Sequence, residues 1–328
     1  MFTKLRCFNN QTVANLKRII NKLNKKTKKS KISLFLDIAW CAIKYGAGPY
    51  DYQEFEFYNL NSKERKTYLT RAKNVKIVRN YNLKSSWYKF DDKVEFNKIF
   101  NKYIKRDWLY LNKDNYQEFE NFCKNKKDFI AKPLDGSGGV GIELIEVKKN
   151  NKETFDYLIK NNKLLVEEKI IQNKKVAALN ETSVNTLRII TFYDGKEAHI
   201  INSVFKIGNG GITDNFSSGS MYTFVEGGKI IVPAIDREDF VYEIHPKSKI
   251  KLVGYEIPNY DKAIELVKEC AKIVPEVKFV GWDVALLEDG ASIIEGNCFP
   301  GVYQIKPSFE HKKEGLIPII ERAANIKL

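Results

Sequence analysis

Histidine and cysteine are scarce in this sequence of 328 residues, which contains three histidines and five cysteines. The histidines lie far apart, no Cys-x-x-Cys pair occurs, and the number of cysteines is odd. A structural zinc site needs closely spaced Cys or His ligands, and a disulfide framework normally needs an even set of cysteines. We therefore expect neither, and we interpret the thiols as reduced thiols of a cytoplasmic protein.

Long apolar runs are also missing. The best candidate, residues 32–48, is too short to span a bilayer and contains Asp37 and Lys44. No signal-peptide pattern follows the start, and no internal repeat or low-complexity linker is present. The chain is long enough for two to three domain-sized units, so we expect a folded protein that stays in the cytoplasm.

Acidic residues are absent from the first 36 positions, which contain ten lysines and arginines. Apolar residues recur there at helical spacing and predict a basic amphipathic helix: Val13, Leu16, Ile19, Ile20 and Leu23. Two interpretations stay open, a peripheral contact of residues 1–31 with an anionic membrane and a solvated helix packed on its own domain. The net charge of +14 favours acidic partners, but no nucleic-acid-binding motif occurs, so we expect no nucleic acid.

Glycines cluster in one loop, Gly136-Ser137-Gly138-Gly139-Val140-Gly141, which contains a formal GxGxxG pattern. The residues after it alternate between apolar and acidic, which predicts a strand, whereas a dinucleotide fingerprint requires a helix there. Lys132 precedes the loop, whereas the kinase lysine follows its loop, and the other kinase signatures are missing. The pattern favours a hairpin whose N–H groups close over phosphates, with a plain surface hairpin as the alternative.

A second hairpin carries carboxylates, Asp283 in residues 280–287 and Glu295 with Asn297 in residues 291–297. A three-residue loop ending at a left-handed Gly290 would pair Leu287 with Ala291 and place Asp283 opposite Glu295, and a bulge near Gly290 would also put the two carboxylates on one face. A two-residue turn would instead send the two carboxylates to opposite faces. In the first register, two carboxylates and an amide oxygen meet, which is a donor set for Mg²⁺ or Mn²⁺. Solvated acids on an exposed hairpin are the alternative.

Short β-rich runs separated by turn signals begin at residue 129, while the preceding residues look mostly helical. The predicted strands are 129–132, 141–147, 164–168, 186–193, 198–206, 229–233, 279–287 and 291–297. One amphipathic helix is predicted over 260–273. Strands joined by hairpins, with helices grouped together, predict an α+β fold with antiparallel sheets.

The order of these motifs resembles the ATP-grasp superfamily. Residues 295–301, Glu-Gly-Asn-Cys-Phe-Pro-Gly, are similar to the closing motif of D-alanine–D-alanine ligases. Further stretches look like the sugar-transfer-associated ATP-grasp proteins: residues 44–52, 106–109, 185–188 and 214–216. The resemblance implies two α/β subdomains with antiparallel sheets that clamp ATP, after a mostly helical N-terminal region. The implied divisions are 1–90, 91–165 with the glycine flap, and 166–328 with the metal hairpin.

The resemblance also implies a role for particular residues. Mg²⁺, one or two ions with Mn²⁺ as a substitute, would be held by Asp283, Glu295 and Asn297. The ATP contacts would be made by Lys93, Lys132, Gly136, Ser137, Gly138, Gly139, Glu167, Glu168, Ile170 and Asn185. Of these, Glu167, Glu168 and Ile170 form the adenine hinge, with the Glu167 carboxylate accepting from the amine, and Asn185 or Gln172 replaces an absent ribose-binding acid. Arg188 and Lys206 would stabilise the transferred phosphoryl group.

The implied activity is that of an ADP-forming ligase that joins a carboxylate to an amine through an acyl phosphate. Its expected partners are ATP, a carboxylate substrate and an amine acceptor, which could be sugar-linked, in the synthesis of cell-surface polysaccharide. Two alternatives stay open: a kinase that phosphorylates a hydroxyl group, and a non-catalytic nucleotide-binding scaffold at the membrane.

Overall fold

The computed structural model describes residues 10–135, 139–210, 219–310 and 312–327. The helices in these residues are α1 (Asn10–Thr27), α2 (Lys31–Tyr45), α3 (Pro49–Glu54), α4 (Ser62–Thr67), α5 (Arg71–Tyr81), α6 (Tyr88–Asp91), α7 (Lys93–Ile99), α8 (Tyr116–Cys123), α9 (Lys152–Lys160), α10 (Lys174–Leu179), α11 (Tyr260–Cys270) and α12 (Ile317–Ala324). The strands are β1 (Trp108–Tyr110), β2 (Asp128–Lys132), β3 (Glu143–Glu146), β4 (Leu165–Glu168), β5 (Thr186–Tyr193), β6 (Ala198–Ile207), β7 (Met221–Glu226), β8 (Lys229–Ile230), β9 (Ala234–Asp236), β10 (Val241–Tyr242), β11 (Phe279–Leu286) and β12 (Ala291–Asn297).

The chain divides into two compact units, Met1–Asn80 with Gly301–Leu328, and Tyr81–Pro300. The predicted divisions at residues 90 and 165 stay predictions. Within the described residues, no helix is both long enough and apolar enough to cross a membrane.

The first unit is helical. Its core contains Ile19 and Leu23 of α1 together with Leu34, Ile38 and the Cys41 thiol of α2, all buried. The apolar stripe of α1 therefore packs on its own unit, which supports the second of the two interpretations of this helix.

The described residues of the second unit form two antiparallel sheets, which confirms the predicted α+β class. A four-stranded sheet has the order β1-β4-β2-β3, and α8 and α9 contribute to the core that it shares with them. A larger sheet has the order β10-β9-β7-β6-β5-β11-β12, with β8 paired to β7. One face of this sheet packs against α11 over a core that includes Leu187, Ile189, Phe205 and Trp282. Because side chains alternate along a strand, residues such as Arg188 lie on the opposite face.

The β11–β12 hairpin confirms the predicted pairing of Asp283 with Glu295, and of the two predicted routes it uses a bulge rather than a three-residue loop. Leu286, not Leu287, pairs with Ala291, so the predicted three-residue loop is wrong. A β-bulge restores the register, because Val284 pairs with Ile293 and the next pair is Asp283 with Glu295.

The extra residue in this bulge is Ile294, and it lies within β12 rather than in the loop. The predicted left-handed Gly290 is also wrong, since its φ lies outside the left-handed region. The N–H of Leu287 donates to the carbonyl oxygen of Gly290, so Glu288 and Asp289 alone form the turn. One extra residue in the strand has the same effect on the register as one extra residue in the loop.

Most of the longer strands lie within a residue or two of their predicted bounds, and the helix predicted over 260–273 ends at Cys270. The prediction missed four strands: β1, β7, β9 and β10. Three of these have only two or three residues, too few for a period of two to be recognised. The fourth, β7, has an apolar run that would have justified a strand prediction.

Candidate nucleotide and metal site

Four charged side chains lie on one face of the large sheet, one on each of four neighbouring strands. Lys206 of β6 pairs with Thr186, two residues before Arg188 of β5, so Lys206 and Arg188 share a face. Arg188 pairs with Asp283 of β11, and Asp283 pairs with Glu295 of β12. The structure therefore brings together four of the predicted site residues.

Asp283 is the centre of this row. The Nε and Nη2 atoms of Arg188 donate to its two carboxylate oxygens, and the Nζ atom of Lys206 donates to both oxygens at 2.9 Å. The Nη2 atom of Arg188 also lies 3.7 Å from a carboxylate oxygen of Glu295. The Asp283 side chain is 7% exposed and that of Glu295 is 54% exposed, so the second carboxylate faces open space.

The pKa values of the two carboxyl groups are shifted in opposite directions. Burial alone would raise the pKa of Asp283, but the positive charges of Arg188 and Lys206 outweigh it and hold this pKa well below its usual range. Desolvation on the protein side and the negative charge of Asp283 raise the pKa of Glu295. Solvent screens part of that repulsion because more than half of the Glu295 side chain is exposed.

Asn297 completes the predicted metal set. It lies two residues beyond Glu295 on β12, on the same face, and pairs with Gly281 of β11. A side chain at Gly281 would come within 3.3 Å of the Arg188 side chain, so glycine there leaves room for the guanidinium group. Two carboxylates and an amide oxygen are hard donors that fit Mg²⁺. The described residues contain no cluster of three or more His, Cys, Asp or Glu side chains as an alternative metal site.

A second charged cluster lies on the small sheet. The buried Glu167 carboxylate of β4 accepts from Arg106 Nε at 2.9 Å, from Lys132 Nζ at 2.5 Å and from Asn97 Nδ2 at 3.2 Å. Burial alone would raise the pKa of Glu167, but Arg106 and Lys132 reverse the shift and hold this pKa well below its usual range. Both oxygens of this predicted adenine acceptor are thus bound by protein side chains.

Lys93 lies at the start of α7, where Asp92 caps the helix by accepting from the N–H groups of Val94 and Glu95. Its Nζ atom donates to the carbonyl oxygens of Pro133 at 3.0 Å and Leu134 at 2.7 Å. These carbonyls lead directly into the glycine loop, so Lys93 fixes the entry to the predicted flap.

The pKa of Lys93 is also shifted by the charges of the predicted site. Burial and the positive charge of Lys132 lower its pKa, and the carboxylates that oppose this shift include Glu295. Lys93 therefore interacts electrostatically with Lys132 of the small sheet and with Glu295 of the large sheet.

The family model for sugar-transfer associated ATP-grasp proteins matches residues 72–314, about three quarters of the chain. This chain belongs to that family. Its fold is the ATP-grasp fold that the sequence predicted. No curated protein sequence matches the chain.

Solved structures with a similar fold are distant in sequence. D-alanine–D-alanine ligase from Helicobacter pylori is 14% identical over 65% of this chain and 55% of that chain, with a TM-score of 0.41. The Bacillus anthracis enzyme, solved with ATP, is 16% identical over 72% and 61%, with a TM-score of 0.40. The ligase PsnB, solved with a minimal precursor, is 14% identical over 81% and 68%, with a TM-score of 0.41. This ATP-grasp protein spans less than two thirds of the length of the first two.

Other predicted site residues of this ATP-grasp protein have different surroundings. Glu168 points away from Glu167, as neighbours on a strand must, and lines a surface cavity of 610 Å³ with Lys105 and Trp108. Its carboxylate accepts from the N–H of Asp107. Ile170 lies just beyond β4 and is half-buried. The assignment of the hinge to these residues stays a prediction.

Asn185 is fully buried at the start of β5. Its Nδ2 atom donates to the carbonyl oxygens of Val176 and Asn180, and its Oδ1 atom accepts from the N–H of Gly208. Gln172, the other predicted ribose contact, accepts from the N–H of Asn185. Through these hydrogen bonds, both side chains stabilise the chain between α10 and β5. A ribose contact stays a prediction.

The glycine loop is described only in part. The predicted contacts at Gly136, Ser137 and Gly138 lie outside the described residues. Gly139 and Gly141 have φ values of +74° and +79°, a conformation that favours glycine. Lys163 Nζ donates to the carbonyl oxygen of Gly141 at 2.6 Å and so fixes the exit of the loop.

Arg106 is the site residue to which the sequence assigned no role. Besides binding Glu167, its Nη1 and Nη2 atoms donate to the carbonyl oxygens of Ile293 at 2.8 Å and Ile294 at 3.3 Å. It therefore connects β4 of the small sheet to the bulge of the β11–β12 hairpin. Residues 106–109 are one of the stretches that carry the family resemblance, and this is the one sequence feature that could have identified Arg106 as a site residue.

Proposed function

We propose that this protein is an ATP- and Mg²⁺-dependent ligase that joins a carboxylate to an amine through an acyl phosphate. The observation that carries the proposal is the row of Lys206, Arg188, Asp283 and Glu295 across four adjacent strands of an ATP-grasp fold. Such a row combines two cations that can bind a phosphoryl group with carboxylates that can bind the counter-ion of ATP.

In the proposed reaction, an oxygen of the substrate carboxylate attacks the γ-phosphorus of ATP, the bond to the β-phosphate oxygen breaks, and ADP leaves. Arg188 and Lys206 stabilise the charge on the transferred phosphoryl group. The amine then attacks the acyl carbon, phosphate leaves with the bonding electrons, and the nitrogen loses a proton to give the amide.

Asp283, Glu295 and Asn297 would hold Mg²⁺, which when bound supplies positive charge to the ATP phosphates. Asp283 accepts from both Arg188 and Lys206. Phosphate oxygens would offer these two cations alternative acceptors, and this exchange would free Asp283 for the metal ion. Lys132 and Lys93 would contact the other phosphates from the small sheet, with the glycine loop excluding water from the acyl phosphate.

The substrate class follows from the family, whose members are described as sugar-transfer associated. We propose sugar-linked substrates: a uronic acid or amino acid as the carboxylate, and an amino acid or amino sugar as the amine. The product would enter a cell-surface polysaccharide or sugar conjugate. The net charge of +14 supports anionic substrates.

Hydroxylamine trapping tests this proposal without knowledge of the amine, because hydroxylamine converts an acyl phosphate into a hydroxamate. Uronic acids and amino acids would be screened singly with the protein, ATP, Mg²⁺ and hydroxylamine. We expect hydroxamate, ADP and free phosphate in equal amounts with one class of carboxylate. A phosphorylated acceptor without hydroxamate would show a kinase, and the absence of any ATP consumption would favour the scaffold.

The matched variants for this assay are Lys206→Met and Lys229→Met. Lys206 lies in the row on β6, whereas Lys229 of β8 is exposed and pairs with Glu256 on the surface. We expect Lys206→Met to abolish hydroxamate formation and Lys229→Met to leave it unchanged. Equal activity in both variants would remove Lys206 from the mechanism.

A further inference from the structure

The outer face of α2 is apolar and exposed. Its large side chains recur at helical spacing and are 49–83% exposed: Ile32, Phe35, Leu36, Trp40 and Ile43. The opposite face, with Leu34, Ile38, Cys41 and Tyr45, lies in the core of the first unit. A helix with two apolar faces normally has both of them covered. We call the five exposed side chains the α2 stripe.

Positive charge surrounds the α2 stripe. Lys29 lines the same surface cleft as Ile32 and Leu36, Lys31 is the first residue of the helix, and Lys44 lies near its end. The Lys44 ammonium group lies 5.0 Å from the centre of the Trp40 ring. A lysine beside a tryptophan at the edge of an apolar face is typical of side chains at a membrane interface.

The chain up to the end of α2 contributes a single acid, Asp37. The first 36 residues contain no acid, and the one acid of α2, Asp37, accepts two hydrogen bonds from the guanidinium group of Arg65, both at 2.7 Å. Asp37 also accepts from the hydroxyl group of Tyr52. Its charge is therefore balanced within the unit, and the surface that α2 presents outward is apolar and basic.

We infer that the α2 stripe lies in the interface of an anionic lipid bilayer, with Lys29, Lys31 and Lys44 at the level of the headgroups. This identifies an apolar inserting element, which the basic segment 1–31 alone does not supply. A second copy of the chain fits less well, because two such basic surfaces would repel each other. The inference is independent of the proposed ligase activity.

The binding test compares vesicles of phosphatidylcholine with vesicles that also contain phosphatidylglycerol, using sedimentation of the full chain. We expect binding only to the anionic vesicles and weaker binding as salt is added. Leu36→Ser with Ile43→Ser should lower the partition coefficient about tenfold or more, because both side chains would leave the apolar layer.

The matched control for these substitutions is Phe240→Ser with Ile244→Ser. Both are large, exposed apolar residues of the second unit. This control should bind as the wild type does, and circular dichroism should show that both variants are folded. Equal loss in the control, or no loss in the α2 variant, would overturn the proposal.

A charge variant separates the headgroup contact from insertion. Lys31→Gln with Lys44→Gln should weaken binding about tenfold or more and flatten its salt dependence, since each lysine near an anionic surface contributes to binding. Lys152→Gln with Lys160→Gln on the exposed side of α9 removes the same charge elsewhere and should change binding far less.

Two further outcomes would contradict the membrane assignment. The first is no binding to either vesicle. The second is a concentration-dependent dimer in solution that is lost in the Leu36→Ser, Ile43→Ser variant, which would identify a second copy as the occupant. Quenching of Trp40 fluorescence by brominated lipid would support insertion, provided that the quenching falls in Trp40→Phe while binding is kept.

Discussion

At the scale of the residue, the site is a set of buried or half-buried charges that neutralise one another. Asp283 has two cationic partners, whereas Glu295 has one distant cation and a side-chain hydrogen-bond contact with Asp283 itself, although both are predicted metal ligands. Removing one partner of a buried ion pair leaves an uncompensated charge, whereas removing a solvated one does little. The two carboxylates should therefore differ in what they contribute to stability.

Asp283→Asn should lower the free energy of unfolding by about 3–5 kcal/mol, because Arg188 and Lys206 would lose their buried counter-charge. Glu295→Gln should cost less than about 1 kcal/mol, since that side chain is mostly exposed. Urea unfolding of the two variants measures the difference. Equal losses would show that Asp283 is not the electrostatic centre of the row.

Glu167 should make the free energy of unfolding depend on pH. The pKa of Glu167 is held below the ordinary value of about 4.3. As the pH falls through that value, this carboxylate is protonated in the unfolded chain but stays ionised in the folded chain. The stability that Glu167 contributes is present at neutral pH and is lost below about pH 5. The groups that face it are Arg106, Lys132 and Asn97.

We expect Glu167→Gln to be less stable than the wild type at pH 7 and to show a flatter decline of unfolding free energy on acidification. Urea unfolding at several pH values checks this. The exposed Glu153→Gln is the control and should follow the wild-type curve. Parallel curves for wild type and Glu167→Gln would contradict the depressed pKa.

Lys132→Ala should weaken ATP binding far more than Lys152→Ala. Lys132 lies at the end of the strand that enters the glycine loop, whereas Lys152 is exposed and pairs with Asp156 in its own helix. A charge-assisted phosphate contact is worth about 1.5–3 kcal/mol, which is tenfold or more in the dissociation constant. Calorimetry on both variants measures it, and equal affinities would argue against the flap.

At the scale of the element, the β11–β12 hairpin depends on its bulge and on the packing behind it. Ile294 is the extra residue that sets the register, and Arg106 binds its carbonyl oxygen. Gly296, on the other face, lies against Phe90 and Phe96, where an added Cβ atom would be 2.9 Å from each ring. The position of Glu295 therefore depends on its neighbour Gly296, which has no side chain.

Gly296→Ala should destabilise the protein by about 1–3 kcal/mol and displace the proposed metal ligands on either side, because the aromatic rings must move. Gly290→Ala is the matched control in the same hairpin. An added Cβ atom there meets only flexible lysine side chains, Lys105 Nζ at 3.1 Å and Lys262 Cδ at 3.9 Å, so we expect a change within about 0.5 kcal/mol. Thermal unfolding compares them, and a larger loss at Gly290 would contradict this description of the hairpin.

At the scale of the whole molecule, the proposed chemistry and the proposed membrane contact belong to different units. The row and the Glu167 cluster lie in Tyr81–Pro300, and the α2 stripe lies in the unit that includes Met1–Asn80. Each can therefore be tested with variants that leave the other intact.

What the sequence could predict depended on local pattern. The strands β5, β6, β11 and β12 carry long apolar runs, so they and the shared face of Asp283 and Glu295 were predictable. The position of the bulge at Ile294 was not, because one extra residue within a strand leaves no mark in the hydrophobic pattern. Arg106 was missed because its partner Glu167 is 61 residues away, and a single arginine has no periodicity.

Asp283, Glu295 and Asn297 are the proposed ligands of the Mg²⁺ of an ATP complex. The most direct measurement is calorimetric titration of a non-hydrolysable ATP analogue with and without Mg²⁺, on the wild type and on the folded variant Glu295→Gln. We predict that Mg²⁺ tightens binding to the wild type at least about tenfold and has little effect on the variant, as loss of a charged metal ligand requires. Equal tightening by Mg²⁺ in both proteins, or none in the wild type, would contradict the account.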